Sequence, residues 1–158
     1  MNTQTIATLN TLQHVLASDE CPSAAFLYRN MDEIKRTILS SATGKVQTIA
    51  DMDDPSRVVG LAGTIRKDNT LKLLFAYVAP QNRNTVTLVQ LMQIVTQACS
   101  DPYTAFVEVD CPVIDKLNSL RAFLFKKAVE TLDKNMTSGE PVVTYILSIA
   151  TWRKIFTP

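Results

Sequence analysis

The feature that most constrains this chain is a pair of strand-like segments, split by a short turn, that runs straight into a helix. Val58 to Arg66 and Thr70 to Val78 are rich in apolar, β-branched and aromatic residues, with only Lys67-Asp68-Asn69 between them. So short a loop pairs the strands antiparallel, because a parallel pair needs a crossover of about a dozen residues or more. Pro80 stops the second strand by removing an N–H and fixing its own φ. After the polar Gln81-Asn82-Arg83-Asn84, residues Leu88, Leu91, Met92 and Val95 recur at helical spacing, which predicts a helix from Thr85 to Ala98.

The segments around this centre extend the pattern. Ile6, Leu9, Leu12, Val15 and Leu16 predict a first helix. Ser23 is placed to cap a second, in which Leu27, Met31, Ile34 and Ile38 form one stripe for the core. Lys45 to Asp51 alternates like a strand, and Asp53-Asp54-Pro55-Ser56 is turn chemistry. After Asp101-Pro102 come a strand over Tyr103 to Val109, a turn at Asp110-Cys111-Pro112 and a helix from about Ile114 to Val129. The chain then runs through a loop from Asn135 to Pro141, a strand from Val142 to Ile149 and a tail from Trp152. An antiparallel meander followed by strand–helix–strand units predicts one α+β domain over residues 1–158, with a central mixed sheet and helices on both faces.

Composition excludes several classes. The chain has 158 residues, net charge +1, 46% hydrophobic and 20% charged residues, which are ordinary globular values. Its most basic neighbourhood, Lys126-Lys127 with Arg121 and Lys134, is diluted by Asp115, Glu130 and Asp133, so no nucleic-acid partner is expected. The first residues lack the pattern of a secretory signal, and the run Leu73 to Ala79 is far too short to span a bilayer. No membrane association is expected, and a cytoplasmic location follows. Cys21, Cys99 and Cys111 are odd in number and widely spaced, which argues against disulfides and a zinc site.

From Val58 to Ile149 the chain resembles the GNAT superfamily of N-acyltransferases. Tyr77-Val78-Ala79-Pro80 resembles the V-x-P strand end of that family, and Arg83 stands where its loop arginine lies. Leu91-Met92 matches the apolar pair in the following helix, while Asn118 and Phe125 have the spacing of the family's Asn and Tyr. The resemblance implies a GNAT-like fold, acetyl-CoA or another acyl-CoA as cofactor, and an amine on a small molecule or a protein as acceptor. It also implies a cofactor site over Tyr77, Val78, Arg83, Asn84, Thr85, Val86, Thr87, Leu88 and Phe125. There, N–H groups at a helix N-terminus would cradle a pyrophosphate.

The match departs from the family at the residues that carry chemistry. Ungapped, Val86 and Leu88 occupy the two glycine positions of the phosphate loop; with one deletion, Thr85 and Thr87 do. The same helix start also reads as an ordinary N-terminus capped by Asn84 or Thr85. Phe125 replaces the tyrosine that would protonate a leaving thiolate. Glu108 is the one acid placed within a strand as a catalytic base, and it reads equally as an outward-facing residue of an alternating strand. The alternative function is a non-catalytic domain of this shape that binds a protein or small ligand. His14 is the only histidine, and a Cys–His pair would need Cys21, Cys99 or Cys111 beside it. Phe75, Tyr77, Phe106, Phe123 and Phe125 are expected in the core. Trp152, Ile155 and Phe156 form an apolar patch that either docks on the sheet or joins two copies in a homodimer.

Overall fold

In the computed structural model, residues 3–83, 85–98 and 101–156 are described. The elements are α1 (Thr3–Leu16), α2 (Pro22–Ser40), β1 (Lys45–Ala50), β2 (Val58–Lys67), β3 (Thr70–Val78), α3 (Thr85–Gln97), β4 (Phe106–Pro112), α4 (Asn118–Lys127), β5 (Glu130–Asn135), β6 (Pro141–Ser148) and α5 (Ile149–Phe156). The strands form a six-stranded mixed sheet in the order β1-β2-β3-β4-β6-β5. Only β3 and β4 run parallel, and α3 makes the crossover between them.

Helices cover both faces. On the first face α1 and α2 bury Leu9, Leu12, Leu16 and the predicted α2 stripe of Leu27, Met31, Ile34 and Ile38. On the second face Leu91, Met92 and Val95 of α3, Leu124 of α4 and Trp152 of α5 pack on Leu71, Leu73, Val107, Cys111 and Leu147. No helix among the described residues is long and apolar enough to cross a membrane.

One irregularity in β3 decides which of its side chains meets which layer. Gly63 pairs with Phe75, but the next residue, Thr64, pairs with Leu73, so Leu74 is an extra residue in β3. Such a bulge inverts the alternation of the strand. Before it, Leu71 and Leu73 face α3; after it, Phe75 and Tyr77 face α1 and α2. The Phe75 ring lies directly against Gly63, where a β-carbon would come within 2.3 Å of the ring and 2.8 Å of Ile38 Cδ1. A side chain at that position would displace both.

Several sequence expectations shift here. The N-cap of α2 is Cys21, not Ser23, with Pro22 in the first turn. The strand expected from Tyr103 begins at Phe106, because the Asp101 carboxylate accepts the N–H groups of Tyr103 and Thr104 and holds that stretch as a turn. It then runs through Asp110-Cys111-Pro112 instead of turning there. The helix expected through Val129 ends at Lys127, and Glu130–Asn135 forms an edge strand whose charges read as a solvated face. Phe123 and Phe125 are exposed on α4, against the expectation of core. The tail is the helix α5, opened by Ser148 Oγ accepting the Thr151 N–H at 3.2 Å. Its Trp152 docks within the chain: the indole is buried and donates to Thr96 Oγ1 at 2.7 Å.

Candidate functional site

The parallel ladder between β3 and β4 is short. It runs from Thr70 opposite Phe106 to Leu73 opposite Val109, whereas β3 continues to Val78 and β4 to Pro112. Beyond the ladder the strands part, and a cavity of about 340 Å³ occupies the gap. Leu74, Phe75 and Ala76 line it from β3, and Asp110, Cys111 and Pro112 from β4. Beyond the ladder the two facing edges no longer pair with each other, an arrangement that suits an extended amide chain lying between them. On the second face the cavity reaches Leu88 and Met92 of α3 and Leu117, Leu120 and Leu124 beside α4. On the first face it runs under Phe26, Leu27, Ile34 and Thr37 of α2.

At the head of α3, Pro80–Asn82 forms a single tight turn before the helix begins at Thr85. The first N–H groups of a helix have no partner within it and carry the positive end of its dipole, so this start favours an anion. Val86 is 64% and Leu88 40% exposed here, while Thr87 is buried. The exposed side chains of Val86 and Leu88 add bulk at this helix start and carry no hydrogen-bond donor. Asn84, expected both as a phosphate contact and as a cap, lies outside the described residues, as does the side chain of Thr85.

The arginines near this loop are already engaged. Arg83 turns its guanidinium back onto the Asp19 carboxylate, donates from Nε to the Val78 carbonyl at 3.0 Å, and lies over the Tyr77 ring. Tyr77 donates its hydroxyl to the same Asp19 at 2.7 Å. The Asp19 side chain is only 5% exposed, and burial alone would raise its carboxyl; the hydrogen bonds from Arg83 and Tyr77 outweigh that and hold it below the usual carboxylate range. Burial and Asp19 push the Tyr77 phenol up, so it stays protonated. Arg57 pairs with Asp51 at 3.3 Å and donates to Asn82 at 3.1 Å. Asp19 and Arg57 were not singled out in the sequence, since one lies in an interhelical loop and the other in a turn, with no motif to mark either.

The carboxylates divide in the same way. Glu108 sits on the paired part of the ladder, opposite Lys72, and reaches its ammonium at 3.8 Å. It borders a separate hollow with Lys67, Asp68 and Asn69, away from the gap. Asp110, two residues on, lies at the first position beyond the ladder and lines the gap itself. Thr144 Oγ1 donates to one of its oxygens at 2.6 Å and Lys134 Nζ to the other at 2.7 Å, with Lys72 Nζ at 3.6 Å. Burial holds Lys72 below the usual lysine value, with Lys134 adding to the shift and Asp110 opposing it. Reading Asp110-Cys111-Pro112 as a turn hid this carboxylate; the alternation of a longer β4 would have placed it on Glu108's face.

Other expected residues are dispersed. Phe125 is 67% exposed on α4. Asn118 begins α4 and accepts from Arg121. Cys111 is buried among second-face residues, and burial pushes its thiol up to about 11. His14 belongs to α1, on the opposite face, so the sheet separates the two. Cys99 lies outside the described residues.

No protein-family model matches this chain, and no curated protein matches its sequence. Solved structures do. An acetyltransferase of the GNAT family from Staphylococcus aureus superposes with a TM-score of 0.57 at 17% identity, over 94% of this chain and 96% of that one. The ribosomal-protein-S18-alanine N-acetyltransferase of Escherichia coli gives 0.58 at 11% identity, over 94% and 90%. A spermidine N-acetyltransferase variant from Vibrio cholerae gives 0.57 at 8% identity, over 92% of each chain. The last two are N-acetyltransferases by name, and at such identities the likeness is one of fold. With its short parallel ladder, parted strands and crossover helix, the chain has the fold of the GNAT acetyltransferases.

Proposed function

We propose that this chain is an acyl-CoA-dependent N-acyltransferase acting on a primary amine of a small molecule or a protein, in the cytoplasm. The observation that carries the reading is the gap between β3 and β4, which Leu88 and Met92 of the crossover helix α3 help to line. The cofactor would supply an activated thioester. The residues present fit its extended, amide-bearing arm: the strand edges at Leu74 to Ala76 and at Asp110 and Cys111 face the gap, and Leu117, Leu120 and Leu124 flank it. They fit its diphosphate less well, since Val86 and Leu88 stand exposed at the helix start and Asp19 holds Arg83. Binding of the anion then rests on backbone N–H groups and the helix dipole.

For the chemistry, positioning carries most of the rate: a gap that fixes thioester and amine within attacking distance removes much of the entropic barrier. An amine arrives protonated and must lose its proton before attack. Asp110 is the carboxylate in the gap, and Thr144 and Lys134 occupy two of the roughly four lone-pair positions such a group offers. It is assigned as the proton acceptor in preference to Glu108. With Phe125 in place of a tyrosine, the leaving sulfur takes its proton from water.

A second reading, a binding domain that performs no transfer, draws on the Asp19–Arg83 pair and on Phe125. Release of free coenzyme A thiol from acetyl-CoA, followed over a panel of amines, separates the two. Amine-dependent release supports transfer; saturable binding of acetyl-CoA with no release on any amine supports the binding domain.

A further inference from the structure

The part of the cavity on the first face is largely apolar. Its walls are Phe26, Leu27 and Ile34 of α2, Leu74 and Phe75 of β3, and Val142 of β6. Its roof is pinned. Asn30, 2% exposed, donates to Glu140 Oε2 at 2.7 Å and to the Phe26 carbonyl at 2.9 Å, and accepts from Ser138 Oγ at 2.7 Å. Arg29 pairs with Glu140 at 2.6 Å, and the Thr137 N–H donates to Glu33 at 2.7 Å. These bonds tie α2 to the turn between β5 and β6. Of the carboxylates bordering it, Glu33 is held by the Thr137 N–H, and Asp110 lies at the strand gap with the lone pairs that Thr144 and Lys134 leave. The rest of the lining is largely apolar, and an alkyl chain needs no polar partner there.

We propose that this compartment holds the hydrocarbon chain of an acyl group longer than acetyl, so that the preferred donor is a medium-chain acyl-CoA. The inference rests on the acyltransferase reading and sharpens it to a donor class. For a thioester lying between Leu74 and Asp110, the apolar side chains of α2 line the same cavity and are open to its acyl group. An acetyl group would leave most of the space unfilled, and the apolar lining would lose the contacts a longer chain makes. Each methylene moved from water into such a lining tightens binding by up to about fourfold.

The test is calorimetric titration of the full chain with coenzyme A, acetyl-CoA and octanoyl-CoA. The expected result is octanoyl-CoA binding at least about tenfold tighter than acetyl-CoA. Leu74→Trp, which fills the compartment, should bring the ratio of the two dissociation constants close to one. Thr37→Phe, filling it from α2, gives the same readout should Leu74→Trp lower the melting temperature sharply. Equal binding of all three ligands overturns the inference and leaves the acyltransferase reading standing. Binding of none overturns both. A tenfold preference that survives both substitutions places the chain elsewhere and overturns the inference alone.

Discussion

The gap between β3 and β4 and the loop at the head of α3 are neighbours built from different materials. The gap is made by backbone: a bulge at Leu74, a ladder that ends at Leu73 and Val109, and two strands that continue past it. Many side chains satisfy those requirements. The loop depends on side chains small enough to let a phosphate reach backbone N–H groups, and on a cation free to meet it. Here Val86 and Leu88 fill the approach and Arg83 is committed to Asp19. A fold can thus present a complete slot for the reacting end of a ligand beside a poor cradle for its charged end. Affinity should come mainly from the slot.

That contrast can be broken in graded ways. The largest effect is expected at Asp110. If it takes the proton in the gap, Asp110→Asn lowers turnover about a hundredfold or more at unchanged acyl-CoA affinity, while Glu108→Gln changes it only a few-fold. Steady-state rates with a responsive amine decide this, and the reverse ranking would return the role to Glu108. Next is the bulge. Gly63→Ala forces Phe75 and Ile38 aside and should cost about 1–3 kcal/mol, a drop of roughly 2–12 °C in melting temperature. An unchanged melting temperature would show that the ring yields freely.

Smaller effects are expected at the loop. Arg83→Ala should weaken acyl-CoA binding less than about threefold, because a cation held by Asp19 has little left for a phosphate. A loss above about tenfold would show that Arg83 leaves Asp19 when the ligand arrives. Asp19→Asn should cost only about 1 kcal/mol, since Arg83 is a third exposed and its pairing is screened by solvent. The sign of its pH dependence is fixed by the direction of the shift. The folded-state value lies below the ordinary 3.8, so the carboxylate stabilises the fold above that pH and the contribution is lost as pH falls through the lower folded value. The stabilities of the wild type and Asp19→Asn should therefore differ fully above about pH 3.8, approach each other as pH falls below it, and meet only below the lower folded value.

The same division between backbone and side chain explains what was legible in the sequence. The α2 stripe and the β2–β3 hairpin follow from single periodicities, and both stand as read. The bulge does not, because an added residue in a uniformly apolar strand leaves no mark on its pattern: Leu71, Leu73, Phe75 and Tyr77 look like one face yet serve two. Glu130–Asn135 pairs on one edge only, so its charges hid a strand. Phe123 and Phe125 were assigned to the core by residue type, although α4 leaves them on its exposed side. Asp110 was missed for a related reason, since proline at position 112 signals a turn in sequence but here ends an edge of the gap. Among the residues the resemblance named, Arg83 lies at the predicted loop, but its pairing with an interhelical aspartate is a tertiary contact that no local pattern encodes.

The central claim is that an acyl-CoA lies between the parted strands with its charged end at α3. Amide NMR spectra recorded during titration with coenzyme A test this residue by residue. The account predicts saturable shifts at Leu74 to Val78, Asp110 and Cys111, and Val86 to Leu88, with β1 unmoved. Shifts confined to other surfaces, or none at millimolar ligand, would contradict it.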